Sequence, residues 1–192
     1  MGDSVFGPRL EDMLRASTSF MSMLYVVREL NLESWCIGAG AVRSLVWDRL
    51  HNFSHPTNFH ADVDVAYYDN SASLELDARL SRSLSDLMPS VRWEVTNQAT
   101  VHHWFLAKFS QVVPPVNSLA DGIATWPEYA TCVGVSLDLN DSIEIIAPYG
   151  LDDLFSLRLR HNPSRASAEV FKERMESKRF IARWPLVSIV PV

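Results

Sequence analysis

Apolar residues recur at helical spacing from Leu10 through Met13, Leu14, Met21, Leu24 and Val27 to Leu30, which predicts a helix over Pro8 to Leu30. A short strand, Ser34 to Ile37, then enters the small-residue turn Gly38-Ala39-Gly40. The turn opens a second helix with Val42, Leu45, Val46 and Leu50 on one stripe. A polar loop, His51 to His60, separates it from the run Ala61 to Tyr68. That run is β-branched and aromatic and stops at the turn residues Asp69-Asn70-Ser71, so it reads as a strand. Ser71 is the expected cap of a third helix that turns Leu76, Leu80, Leu84 and Leu87 inward and ends before Pro89. Val91 to Thr96 alternates, with Val91, Trp93 and Val95 on one face and Arg92, Glu94 and Thr96 on the other. Asn97 to Phe105 is expected to be helical, and Pro114-Pro115 marks a loop. Cys132 to Leu137 and Ile143 to Ile146 flank the turn Asn140-Asp141 as a hairpin. Helices around Leu151–Arg160 and Ala166–Phe180 close the chain.

The order α-β-α-β-α-β-α, then a hairpin and helices, predicts an α/β (α+β) fold: a mixed β-sheet with helices packed on it. A dinucleotide-binding reading fails because Gly38-Ala39-Gly40 lacks the third glycine at the required spacing. We expect one domain over residues 1–192, with a core at about 9–110 and the hairpin and helices at about 111–192.

Composition narrows the function classes. Of 192 residues, 47% are hydrophobic, ample for a packed core, yet no apolar stretch is long enough to span a membrane. The N-terminus shows no basic segment followed by an apolar one, so a cytoplasmic protein is expected. Cys36 and Cys132 lie in strand-like apolar runs without a CxxC partner and read as buried reduced thiols. The net charge of −6 is uneven: residues 1–150 carry 9 basic against 18 acidic residues, and 151–192 carry 8 against 5. The acidic body argues against a long nucleic acid as partner. The basic tail reads either as a solvated helix face or as a surface for a phosphate-bearing ligand.

Three elements carry candidate chemistry. Asp62 and Asp64 are separated by one residue on a strand, so both carboxylates point the same way. Alone, they are the polar face of a half-exposed strand or the ligands of a divalent cation, for which hard oxygen donors suit Mg²⁺ or Mn²⁺. Glu94 lies on the polar face of its own strand, either solvated, paired with Arg92, or a third metal ligand. The turn before the second helix admits close backbone approach, and Arg43 and Ser44 in its first turn can meet phosphate oxygens. Together these groups fit transfer of a phosphoryl-type group, which needs positioning and charge neutralisation. Gln98 and His102, four apart, either frame a substrate or buttress the sheet. Trp47, Trp93, Trp126 and Trp184 are expected in packing, and Asp152 and Asp153 in a helix first turn.

These motifs resemble a bacterial nucleotidyltransferase-like family of the DNA polymerase β-like superfamily. The stretches that carry the likeness are Trp35 to Arg43, Val46 to His51, Asp62 to Asp69, Trp93 to His102, Trp126-Pro127-Glu128, Ala147 to Phe155, Lys178 and Trp184-Pro185. They span about residues 9–185. The resemblance implies a nucleotidyltransferase core that moves a nucleoside monophosphate from an NTP to an acceptor and releases pyrophosphate, with Mg²⁺ or Mn²⁺ as cofactor. It implies that Asp62, Asp64 and Glu94 are catalytic and hold metal, and that Gly40, Ala41, Arg43 and Ser44 bind the nucleotide. Ala41 stands where many superfamily members have serine, Ser44 where an asparagine is expected, and Glu94 where the family often has aspartate. The acceptor (a small molecule, a protein or an RNA end) is not implied. The alternative on the same fold is a non-catalytic nucleotide-binding or sensor module.

Overall fold

A computed structural model describes residues 3–54, 62–73 and 75–192. Most of the expected polar loop, residues 55–60, and Ala61 lie outside the described residues. In place of one long N-terminal helix there are two, α1 (Asp3–Arg15) and α2 (Thr18–Arg28). The break falls at Ser17, whose extended backbone caps α2 while its hydroxyl accepts from the Phe20 N–H. The apolar periodicity runs through the break, which is why it reads as one helix; a serine that bonds its own backbone competes with the helix there.

Strand β1 (Trp35–Gly38) is buried throughout and runs into helix α3 (Gly40–Leu50). Strand β2 (Val63–Tyr67) follows the loop, then helix α4 (Leu76–Leu87) and strand β3 (Trp93–Asn97). Helix α4 starts later than its expected cap, because Ser71 instead turns back on Asp69 through both its N–H and its hydroxyl. Leu80 and Leu84 are buried as expected, but Leu87 at the last position of the helix is exposed. After a short 3-10 turn at Gln98–Thr100, helix α5 (Val101–Phe109) and helix α6 (Leu119–Ile123) lead to the hairpin β4 (Gly134–Leu137) and β5 (Ile143–Ile146).

The five strands form one mixed sheet in the order β3-β2-β1-β4-β5. Strand β1 is antiparallel to both neighbours, and β2 and β3 are parallel. Register sets the two faces. Ile37 pairs with Val65 and Val135, and Val65 with Val95, a row of apolar side chains that enters the main core. The alternate positions face the other way: Cys36 pairs with Ala66, and one step along β2 from Val65 the pair Asp64–Glu94 faces that second side. There a smaller cluster of Cys36, Ala66, Leu119, Ile123 and Cys132 packs under α6. Burial pushes both thiols up to about 12, so they are inert space-fillers.

The expected helix around 151–160 is a single turn, α7 (Asp152–Phe155). The chain then turns at Leu157, where φ is +54°, and Arg158–Leu159 forms strand β6. It closes through α8 (Ala168–Lys178), α9 (Phe180–Arg183) and β7 (Ser188–Ile189), which pairs in parallel with β6. Asp153 is buried and paired with Arg158 and Arg160, a structural role. Among the described residues no helix is long and apolar enough to cross a membrane.

Candidate active site

A cavity of about 940 Å³ opens on the second face of the sheet, lined on one side by Asp62, Asp64 and Glu94. The register places Asp64 and Glu94 directly side by side on β2 and β3. Asp62 precedes the strand by one residue and is half exposed; it pairs with Arg92 at 3.1 Å, so Arg92 takes Asp62 and not Glu94 as its partner. Asp64 lies deeper, on the strand itself. Burial first, then the charges of Glu94 and Asp62, push its carboxyl from the ordinary 3.8 up to about 6. The nearby cations Lys178 and Arg174 pull the other way.

Those cations line the same cavity. Helix α8 brings Arg174 and Lys178 to the cavity, and Arg165 and Arg183 join them. Arg174 is fixed from beneath by Glu128, a fully buried carboxylate: the guanidinium donates to Oε1 at 2.6 Å and to Oε2 at 3.3 Å. The Thr131 hydroxyl donates to the same carboxylate at 2.9 Å. Of these residues, Glu128 and Lys178 enter the sequence reading only as residues that carry the family likeness, with no role assigned; the signal for Arg165, Arg174 and Arg183 is the excess of basic residues after position 150.

The turn between β1 and α3 forms the floor. Its unusual backbone falls on Ala39 and on neither glycine: φ is +49° and ψ −119°, a conformation costly for a residue with a Cβ. The Ala39 N–H is held by the Val133 carbonyl at 3.1 Å. Gly38 is required by packing, since a Cβ there would lie 2.6 Å from the Trp126 ring and 2.9 Å from the Val133 carbonyl oxygen. Gly40 lines the cavity, with only the Arg43 guanidinium, 3.7 Å away, near its missing Cβ.

Arg43 lines the cavity, but it is neither an exposed residue of a packing turn nor a fork free to close on phosphate. It is 6% exposed, and its guanidinium carbon sits 4.8, 5.0 and 5.3 Å from the ring centres of Phe180, Trp184 and Trp47. Burial lowers its pKa to about 10. Its Nη2 reaches the Ser44 hydroxyl at 3.4 Å, and Nε has no hydrogen-bond partner. Ser44 is itself buried, and neither it nor Ala41 lines the cavity, so the structure does not bring these two expected nucleotide ligands to the site. Positions four apart on a helix share a face, so Ser44 follows Gly40 one turn along α3, where it is buried in the protein.

Gln98 lines the cavity and is packed on Gly122, whereas His102 does not line it. Asn97 is a brace: its side chain accepts from the Asp69 and Ala99 N–H groups and donates to the Asp69 carbonyl. Trp47 and Trp184 are fully buried, donating to the Leu154 carbonyl and the Asp48 carboxylate, so neither is free to stack on a ligand.

The donor set suits a hard divalent cation in type, three carboxylates on one wall that repel one another without it. Among the described residues no group of three or more His, Cys, Asp or Glu is gathered to hold such an ion alone. That is compatible with Mg²⁺, which is usually held by one or two carboxylates together with substrate phosphates and water.

A mixed sheet with paired carboxylates facing a basic helix across one cavity is the frame of a nucleotide-handling transferase, and the comparisons agree. The chain belongs to the nucleotidyltransferase family, which matches residues 25–189. An NMR structure described as a CCA-adding enzyme head domain is similar to it at 27% identity and a TM-score of 0.79, over 95% of this chain and 96% of that one. Two structures described as tRNA-processing enzymes share the fold at 16% and 17% identity, with TM-scores of 0.52 and 0.53. They cover 88% of this chain, which spans only 42% and 43% of theirs. No curated protein sequence matches the chain.

Proposed function

We propose that this nucleotidyltransferase transfers a nucleoside monophosphate from an NTP to an acceptor, with the triphosphate lying between the acidic wall and α8. The observation that carries this reading is that Asp62, Asp64 and Glu94 line one cavity together with Arg174 and Lys178, whose charges act on Asp64. Asp62, Asp64 and Glu94 are the residues that would hold Mg²⁺ or Mn²⁺, which when bound lowers the pKa of an attacking hydroxyl and neutralises the leaving pyrophosphate. Glu94, the register partner of Asp64, takes the acceptor's proton. Lys178 and Arg174 bind phosphate oxygens, the task expected at first of Ser44. The turn at Ala39 and Gly40 lets the phosphates approach the backbone, and Arg43 stabilises that turn from below. The likeness to a CCA-adding enzyme head domain makes a nucleotide-bearing acceptor, such as an RNA end, the first to try.

The test is thermal unfolding of the wild type and Asp64→Ala with each of the four NTPs, with and without Mg²⁺. A metal-dependent NTP shift in the wild type alone supports the reading. An equal shift in Asp64→Ala removes the carboxylates from the site. Metal-dependent binding with no pyrophosphate released across many acceptors supports the non-catalytic binding module instead.

A further inference from the structure

Beyond the charged walls, the cavity has an apolar side that the transfer reading leaves without a task. Helix α5 follows β3, the strand that carries Glu94, and turns Trp104, Phe105 and Phe109 toward the cavity. Their rings form one platform: Phe105 and Phe109 centres are 4.6 Å apart, and Trp104 lies 6.1 and 6.4 Å from them. Trp104 is 37% exposed and Phe109 49% exposed. Two large aromatic side chains left in water along one cavity point to a ligand that covers them. The platform is also cationic. The Lys108 ammonium sits 5.4 Å from the Trp104 ring centre and 5.5 Å from that of Phe109. From the other side, the Arg165 guanidinium lies 5.5 Å from the Phe105 ring, held by the Pro114 carbonyl at 2.9 Å. Flat apolar rings beside fixed positive charge suit a planar heteroaromatic ring that carries a phosphate.

We propose that the α5 platform is a nucleobase site, where a base of the donor NTP or of a nucleotide acceptor stacks on Trp104 and Phe109. This rests on the nucleotidyl-transfer reading for its location but not for its chemistry. The platform shares one cavity with Glu94 and with the phosphate-facing residues of α8, so a single nucleotide, or two side by side, can span both.

Titration calorimetry on the full chain with Mg²⁺ tests it, with four kinds of probe: tripolyphosphate, which has no base; the four NTPs; and, added beside saturating tripolyphosphate, the four nucleoside monophosphates and base-free ribose 5-phosphate. The expected result is that a base-bearing probe binds more tightly than its base-free counterpart, ribose 5-phosphate for the monophosphates, by about 5- to 150-fold, the range of one base–aromatic stack. Trp104→Ala should remove that advantage and leave tripolyphosphate affinity unchanged; Phe109→Ala should reduce it. An advantage on the NTPs assigns the platform to the donor, and on the monophosphates to the acceptor. No base advantage in the wild type, or one that survives both variants, overturns the proposal while tripolyphosphate binding leaves the transfer reading standing. A base advantage without tripolyphosphate binding does the reverse. If Trp104→Ala changes the sedimentation coefficient but not base affinity, the platform is a surface between protein chains and the proposal fails.

Discussion

Asp64→Asn should make the metal-free protein more stable, at the expense of the site. Asp64 is partly buried beside Glu94 and Asp62, and its carboxyl is pushed from 3.8 to about 6. Below pH 3.8 the group is neutral in the folded and unfolded chains alike and contributes nothing. Between 3.8 and 6 the folded chain retains a proton that the unfolded chain has released, so stability falls as the pH rises through this window. Above 6 the full penalty is present. A difference of about 2 pH units corresponds to about 3 kcal/mol, an upper limit because solvent reaching the cavity screens the charge. For a chain of this size that is a rise in Tm of roughly 6–12 °C at most. The assay is urea and thermal unfolding in EDTA at pH 5 and pH 8. Asp64→Asn should exceed the wild type at pH 8, and the margin should shrink at pH 5. Equal stability at both values would refute the idea that these carboxylates are held together against their own repulsion.

Two further outcomes follow from the geometry. Glu128→Ala should destabilise the fold by about 3 kcal/mol in denaturant unfolding, the low end for breaking a buried pair, because Arg174 keeps 32% exposure. The same variant should weaken tripolyphosphate binding, since Arg174 loses its anchor. Ala39→Gly should stabilise the protein by about 1 kcal/mol in the same assay: relief of the strained backbone exceeds the greater freedom of an unfolded glycine.

Much of the sheet was legible in the chain. The run Val63–Tyr67, the alternation around Trp93 and the hairpin about Asn140-Asp141 carry local period-two signals, and the structure has strands at each. Asp62, Asp64 and Glu94 were legible for the same reason, since strand alternation fixes which way they face. Local capping misled: Ser17 breaks a helix that its apolar stripe crosses, and Ser71 bonds to Asp69 in place of opening α4. What stayed hidden depends on contacts distant in sequence. Arg43 is drawn into a cage by Phe180 and Trp184, and Arg174 is aimed by Glu128, 46 residues before it. No local pattern announces either pairing. A basic residue in α8 looks the same whether it faces solvent or a cavity, and an exposed Trp104 looks like core until the helix has been placed.

In the proposed site a metal–nucleotide complex sits between the carboxylates of β2 and β3 and the basic residues of α8. Paramagnetic broadening of backbone amide signals by Mn²⁺, in the presence of a non-hydrolysable NTP, tests this most directly. The account predicts that the signals of Asp64, Glu94 and Gly40 broaden first, with those of α8 next, and that Asp64→Asn abolishes the effect. Broadening centred on the acidic hairpin turn at Asp138 and Asp141, or undiminished in Asp64→Asn, would contradict it.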